Sequence, residues 1–134
     1  MNKMFKIGVI LFSLLFLSCD QDDEASKFIE TGTYIGSFTV VYGSEKKSGT
    51  TILKLENGKY TSSGNPDRIP AGGSGSYSIK DNKIIFSDEN FWTADFDGNL
   101  ILSGEYTYTF NGKKLKISAN KNDVGYYEYD LSKQ

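Results

Sequence analysis

From residue 32 to the end of the chain, apolar and polar residues alternate in short runs separated by turn residues. The runs are 32–42, 50–56, 59–63, 75–80, 83–87, 100–110, 113–119 and 126–131. A period of two places successive side chains on opposite faces of a strand, so each run is predicted to be a half-buried antiparallel strand. No run has the period of an amphipathic helix. We therefore predict an all-β domain of eight strands.

Turn residues support this division. Asn57-Gly58 and Asn111-Gly112 stand between predicted strands, and both residue types tolerate the positive φ of a two-residue hairpin loop. The clearest strand is 100–110, in which one parity holds Leu100, Leu102, Gly104, Tyr106, Tyr108 and Phe110. We expect a single extended strand there, with this row facing the core.

Short links between consecutive strands favour an up-and-down antiparallel barrel, because closure removes the exposed edges of an open sheet. A β-sandwich is the alternative. A Gly-x-Tyr triplet recurs in three of the predicted strands, at Gly32, Gly75 and Gly104. We interpret these glycines as points where a strand bends at a barrel corner.

Eight strands enclose an interior that side chains fill or that holds one small ligand. The candidates for lining a cavity are Tyr34, Phe38, Tyr77, Phe86, Trp92, Tyr106, Tyr108 and Tyr127. The alternative is that these large rings fill the barrel completely. Buried tyrosines need hydrogen-bond partners, which would give the interior a partly polar character.

Two loops carry residues that a connection does not require. The first, 88–99, holds Phe91, Trp92 and Phe96, which form either a plug over one barrel end or an exposed contact patch. Its acids do not fit a calcium loop, because the glycine of Asp95-x-Asp97-Gly98 comes at the fourth position instead of the sixth, so we predict no metal site. The second loop, 64–74, is either a lid that carries the chain's only arginine or a flexible connection.

Residues 1–18 have the order of a secretory signal peptide. Lys3 and Lys6 precede an apolar run over 7–17, and the small Ser18 follows it. The run is shorter than the roughly 18 or more apolar residues that a transmembrane helix needs. We expect residues 1–18 to be removed.

Phe16-Leu17-Ser18-Cys19 resembles the lipobox of bacterial lipoproteins, which implies that Cys19 is lipidated and becomes the first mature residue. Several acyl chains on one residue give stable membrane anchoring. Residues 19–29 are then an acidic tether, and 30–134 form the barrel domain. The acids after Cys19 resemble the signal that sends some lipoproteins of Gram-negative bacteria to the cell surface, which implies surface export. The alternative is that they form only a solvated spacer.

Composition restricts the chemistry. The chain has no histidine, and Cys19 is its one cysteine. Zinc sites built from His or Cys, Ser-His-Asp catalysis and Cys-His catalysis are therefore excluded. A net charge of −2 provides no basic face for nucleic acid. We predict a monomer without enzymatic activity or a cofactor.

The order of lipobox cysteine, acidic spacer, Gly-x-Tyr strand, Gly-rich loop, Trp92 and terminal tyrosine strand is similar to that of small lipocalin-like lipoproteins of Gram-negative bacteria. The resemblance implies an outer-membrane protein of the cell envelope whose barrel takes a small apolar ligand. The alternative is a filled barrel that binds a protein partner through the Phe91, Trp92 and Phe96 loop.

Overall fold

The computed structural model describes residues 28–134, which form a closed antiparallel barrel. The strands are β1 (Gly32–Tyr42), β2 (Glu45–Glu56), β3 (Lys59–Ser62), β4 (Gly73–Lys80), β5 (Lys83–Asp88), β6 (Gly104–Phe110), β7 (Lys114–Lys121) and β8 (Gly125–Lys133). Each strand pairs with its neighbours in sequence, and β8 pairs with β1 to close the barrel. The prediction of an eight-stranded antiparallel barrel is confirmed, and the sandwich alternative is wrong.

The signal peptide, Cys19 and the acidic segment up to residue 27 lie outside the described residues. Between residues 28 and 134, no helix is long and apolar enough to cross a membrane.

Consecutive strands run in opposite directions, so the connections between them lie alternately at the two ends of the barrel. The N-terminal end holds the start of β1, the end of β8 and the short turns 57–58, 81–82 and 111–113. The loop end holds the turns 43–44 and 122–124 and the two long loops, 63–72 and 89–103. All the long connections therefore lie at the end opposite the point where the chain enters the barrel.

The core is the barrel interior, and aromatic rings dominate it. Its largest fully buried side chains are Tyr34, Phe38, Phe86, Tyr106, Phe110, Tyr127 and Tyr129. Smaller residues such as Leu53, Leu115 and Ile117 occupy the remaining inward positions. In every strand except β4, which contains no buried residue, the inward parity therefore agrees with the apolar parity of the sequence.

Residues that precede β1 close the N-terminal end. Ile29 is only 5% exposed and packs with the core, although it falls within the segment predicted to be tether. The Tyr34 hydroxyl donates to the Glu30 carbonyl oxygen over 2.5 Å, and Lys133 pairs with the Glu30 carboxylate at 3.7 Å. The ordered barrel therefore includes Ile29.

The prediction of one strand over 100–110 is wrong in its first part. Leu100 ends a 3-10 turn (Gly98–Leu100), and β6 begins only at Gly104. The Ala71 N–H donates to the Leu100 carbonyl oxygen, and the Leu102 N–H donates to the Gly72 carbonyl oxygen. Loop 63–72 therefore holds this segment, and both leucines reach the core from a loop.

Gly75 and Gly104 have positive φ values of 156° and 101°. At Gly75 a Cβ atom would lie 2.0 Å from the Ser87 carbonyl oxygen, so the neighbouring strand leaves no room for a side chain. Two backbones therefore approach closely at Gly75, whereas at Gly104 the nearest atom to a Cβ would be the Lys121 Nζ atom, 3.7 Å away.

Candidate functional site

Most of the residues predicted to line a cavity do face the barrel interior. Tyr34, Phe38, Phe86, Tyr106, Tyr108 and Tyr127 are buried. Tyr77 is partly buried against the core. Trp92 lies outside the barrel with 37% of its surface exposed, so it does not line the interior.

These rings contact one another across the barrel. Consecutive centroids are 4.7 to 6.5 Å apart along a chain of seven rings, Tyr77, Phe86, Tyr106, Tyr129, Phe38, Tyr127 and Tyr42. Aromatic pairs at these separations are in favourable packing contact. The rings therefore fill much of the interior that an apolar ligand would need.

Three inward tyrosines differ in how their hydroxyl groups are satisfied. The Tyr60 hydroxyl donates to the Leu102 carbonyl oxygen over 2.5 Å. The buried hydroxyl groups of Tyr106 and Tyr129 have no hydrogen-bond partner within residues 28–134. Burial raises the pKa of both tyrosines, so both hydroxyls stay protonated at neutral pH. Among residues 28–134 the interior thus contains two hydroxyl donors without a hydrogen-bond partner.

At the loop end, Asp97 joins loop 89–103 to the barrel wall. Its Oδ2 atom accepts hydrogen bonds from the hydroxyls of Tyr42, at 2.5 Å, and Tyr127, at 2.7 Å. Its Oδ1 atom accepts from the Asn99 N–H at 2.9 Å. Burial alone would raise the pKa of Asp97, but these three hydrogen bonds outweigh it and lower the pKa. Burial and the bond to Asp97 together raise the pKa of Tyr127 to about 12.

Asp88 fixes the beginning of the same loop. Its Oδ2 atom accepts from the Trp92 indole N–H at 2.6 Å and from the Asn90 N–H at 3.2 Å. Its Oδ1 atom accepts from the Ser74 N–H at 3.0 Å, which ties the loop to β4. Burial opposes ionisation of Asp88, but these bonds prevail and lower its pKa.

Arg68 joins the two long loops. Its guanidinium lies 3.2 Å from the Asp95 carboxylate and 4.3 Å from the ring centroid of Phe96. The Trp92 and Phe96 rings meet edge to face at 6.0 Å. Arg68 therefore braces the loop end and already has an anionic partner.

The three aromatics of loop 89–103 have different surroundings. Phe96 packs against the core, as a plug would. The Phe91 side chain is fully exposed, at 102%, and Trp92 is partly exposed beside it. The loop therefore supplies both features, a partial plug and a surface patch formed by Phe91 and Trp92.

The acidic residues of this region serve separate partners. Asp95 pairs with Arg68, Asp97 binds tyrosines, and Glu105 pairs with Lys83 at 3.3 Å. Over the described part of the chain, no group of three or more His, Cys, Asp or Glu residues is placed to hold a metal ion. The carboxylates act as structural acceptors in this arrangement.

Sequence reasoning did not identify the roles of Asp88, Asp97 and Tyr42. Asp97 and Tyr42 are 55 positions apart, and no local motif links them. The available signal was the number of acids in the loop, which we compared only with a calcium-binding motif and not with tyrosine hydroxyls as partners.

No protein-family model, curated protein or solved structure matches the chain. The geometry of the loop end and of the barrel interior therefore carries the functional conclusion.

Proposed function

We propose that this protein is a lipid-anchored module of the bacterial envelope that binds a partner protein through the patch formed by Phe91 and Trp92. The observation that carries the proposal is the complete exposure of the Phe91 ring on a loop that Asp88 and Asp97 connect to the barrel.

The support for partner binding is the combination of exposure and fixation. The hydrogen bond from Trp92 to Asp88 closes the short segment that contains Phe91, and Asp97 holds the following part of the loop to the barrel wall. A fixed loop loses little conformational entropy on binding. Aromatic side chains are the residues that most often dominate the energy of an interface.

The orientation of the barrel agrees with this use. The chain enters the barrel at the N-terminal end, through Ile29, and the Phe91–Trp92 patch lies at the loop end. An acylated Cys19 would hold the N-terminal end toward the membrane. The patch would then face away from the lipid surface, where a partner protein can reach it.

The other function expected from the sequence is the binding of a small apolar ligand inside the barrel. It needs interior space, whereas seven rings are in contact from Tyr77 to Tyr42. The unsatisfied hydroxyls of Tyr106 and Tyr129 also make the interior partly polar. The packing therefore supports the interaction function over the apolar-ligand function.

Site-specific photo-crosslinking in cells tests the proposal. A benzophenone amino acid replaces Phe91 in one full-length variant and Ile35, an exposed residue on the barrel wall, in the matched control. We expect one defined crosslinked protein from position 91, none from position 35, and loss of the product when Trp92→Ala is added. Equal products from both positions, or none from position 91, would contradict partner binding at this patch.

A further inference from the structure

A cleft opens in the barrel wall where β6 and β7 separate. The pairing between these strands ends at Thr107 and Ser118. Continuing the same register would place Tyr106 opposite Ala119 and Gly104 opposite Lys121, but β6 and β7 do not pair there. A cleft of about 450 Å³ occupies this region, on the loop-end side of the last pair. Its volume falls within the range of small-molecule sites, about 300 to 1,000 Å³.

The walls of the cleft leave one cation without an anionic partner. Lys83 and Glu105 line one side and pair with each other at 3.3 Å. Lys121 lines the other side and forms no ion pair with any residue from 28 to 134. The cleft therefore has an unbalanced positive charge.

Lys121 is directed toward the inner side of the barrel. It shares its parity on β7 with the buried Leu115 and Ile117. Its Nζ atom lies 5.8 Å from the ring centroid of Tyr106 and 3.7 Å from the position that a Cβ atom would take on Gly104. The absence of a side chain at Gly104 leaves space beside the ammonium group.

Tyr106 borders the cleft, but its hydroxyl is buried inside the barrel and is not open to the cleft. The side-chain amide of Asn120 also borders the cleft.

We propose that this cleft binds a small organic acid. The carboxylate accepts hydrogen bonds from the Lys121 ammonium group, and the apolar body of the acid lies against Ala119 and Tyr126. A charge-assisted hydrogen bond to an ammonium group is the strongest contact that these residues offer to a ligand. The cleft is separate from the Phe91–Trp92 patch, so this proposal does not depend on partner binding.

Benzoate is a suitable probe, with benzyl alcohol and benzylammonium as neutral and cationic compounds of similar shape. The full chain in lipid nanodiscs is titrated with each compound, and the amide chemical shifts of Gly104, Tyr106 and Lys121 are followed. We expect benzoate to shift these amides saturably and to bind about tenfold or more tightly than benzyl alcohol. Equal binding of the three compounds, or benzoate-dependent shifts that centre on Phe91 instead, would overturn the proposal.

Two variants assign the contacts. Lys121→Gln removes the charge at nearly constant length, and Lys116→Gln is the matched control, because Lys116 lies on the outward face of the same strand. We expect benzoate affinity to fall about tenfold in the first variant and to stay unchanged in the second. Unchanged affinity in Lys121→Gln would overturn the proposal, and if this variant does not fold, the comparison of benzoate with benzyl alcohol still decides.

Discussion

The hydroxyl of Tyr127 donates a 2.7 Å hydrogen bond to the Oδ2 atom of Asp97. Tyr127 lies on β8 and pairs with Val40 of β1, so this bond connects loop 89–103 to the strand pair that closes the barrel. Tyr42, near the end of β1, donates to the same oxygen. One carboxylate therefore connects the loop that presents Phe91 to both closing strands.

Replacing this carboxylate should destabilise the barrel. We expect Asp97→Ala to lower the free energy of unfolding by roughly 2 to 3 kcal/mol, because two tyrosine hydroxyls lose a charged acceptor. Asp95→Ala is the control, and it should change stability by less than about 0.5 kcal/mol, because Asp95 is exposed. Chemical denaturation of both variants measures the difference. If both variants lost the same free energy of unfolding, the hydrogen bonds to Asp97 would contribute little to stability.

Acid should destabilise the native barrel. The pKa values of Asp88 and Asp97 are lower in the folded protein than the usual value, which is about 3.9 in an unfolded chain. Their contribution to stability is complete above the unfolded pKa and is lost as the pH falls through the folded values. Melting temperatures between neutral pH and pH 2 should fall most steeply below about pH 4. Asp97→Asn should flatten this decline, and an unchanged profile in that variant would contradict the role of Asp97.

Alkali should also unfold the barrel, because the contribution of the buried tyrosines to stability falls as the pH rises. Burial raises the pKa of Tyr34 to about 12, and burial with the Asp97 bond raises that of Tyr127 to about 12. The stability that these tyrosines provide is present below the unfolded pKa, about 10, and is lost as the pH rises toward 12. Phenolate absorbance and near-ultraviolet circular dichroism, followed together, should change in the same transition. If all nine tyrosines ionised near pH 10 in a protein that stayed folded, this result would contradict the burial of the tyrosine side chains in the barrel.

Two matched tyrosine substitutions separate satisfied from unsatisfied hydroxyls. Tyr60→Phe removes the donor to the Leu102 carbonyl oxygen, so we expect a loss of about 1 to 3 kcal/mol. Tyr129→Phe removes a buried hydroxyl without a partner among the described residues, so stability should stay the same or rise. Denaturation midpoints of the two variants provide the test. A large loss in Tyr129→Phe would show that its hydroxyl has a partner such as bound water.

Local rules predicted most of the barrel. Asn57 and Gly58 both have positive φ, as the hairpin turn requires, and the predicted bounds of β1 agree with the structure. The strand predicted from Leu100 failed, because a row of apolar residues shows which side chains are buried but not which backbone is paired. The start of β2 was missed because Glu45–Ser48 carry no apolar residue, and this part of the strand is exposed on both faces.

The site was less predictable, because it depends on contacts between distant positions. The sequence shows Trp92 as a large apolar residue, and only the structure reveals the bond from its indole N–H to Asp88, which holds it in the loop. The loss of pairing between β6 and β7 beyond Thr107 also leaves no local sign, since Ala119 and Tyr106 both fit a strand. Residue types therefore predicted which side chains are buried. The hydrogen-bond and strand-pairing partners could be identified only from the three-dimensional structure.

The membrane anchor gives the last prediction. Cys19→Ser should release the protein from membranes, because the apolar run 7–17 is too short to span a bilayer once the acyl chains are absent. Phe91→Ser is the control, and it should remain bound, because that residue lies at the barrel end opposite the N-terminus. Membrane fractionation and detergent partitioning of both variants measure the effect. If Cys19→Ser still fractionated with membranes, the lipid anchor and the orientation of the Phe91–Trp92 patch away from the membrane would both be wrong.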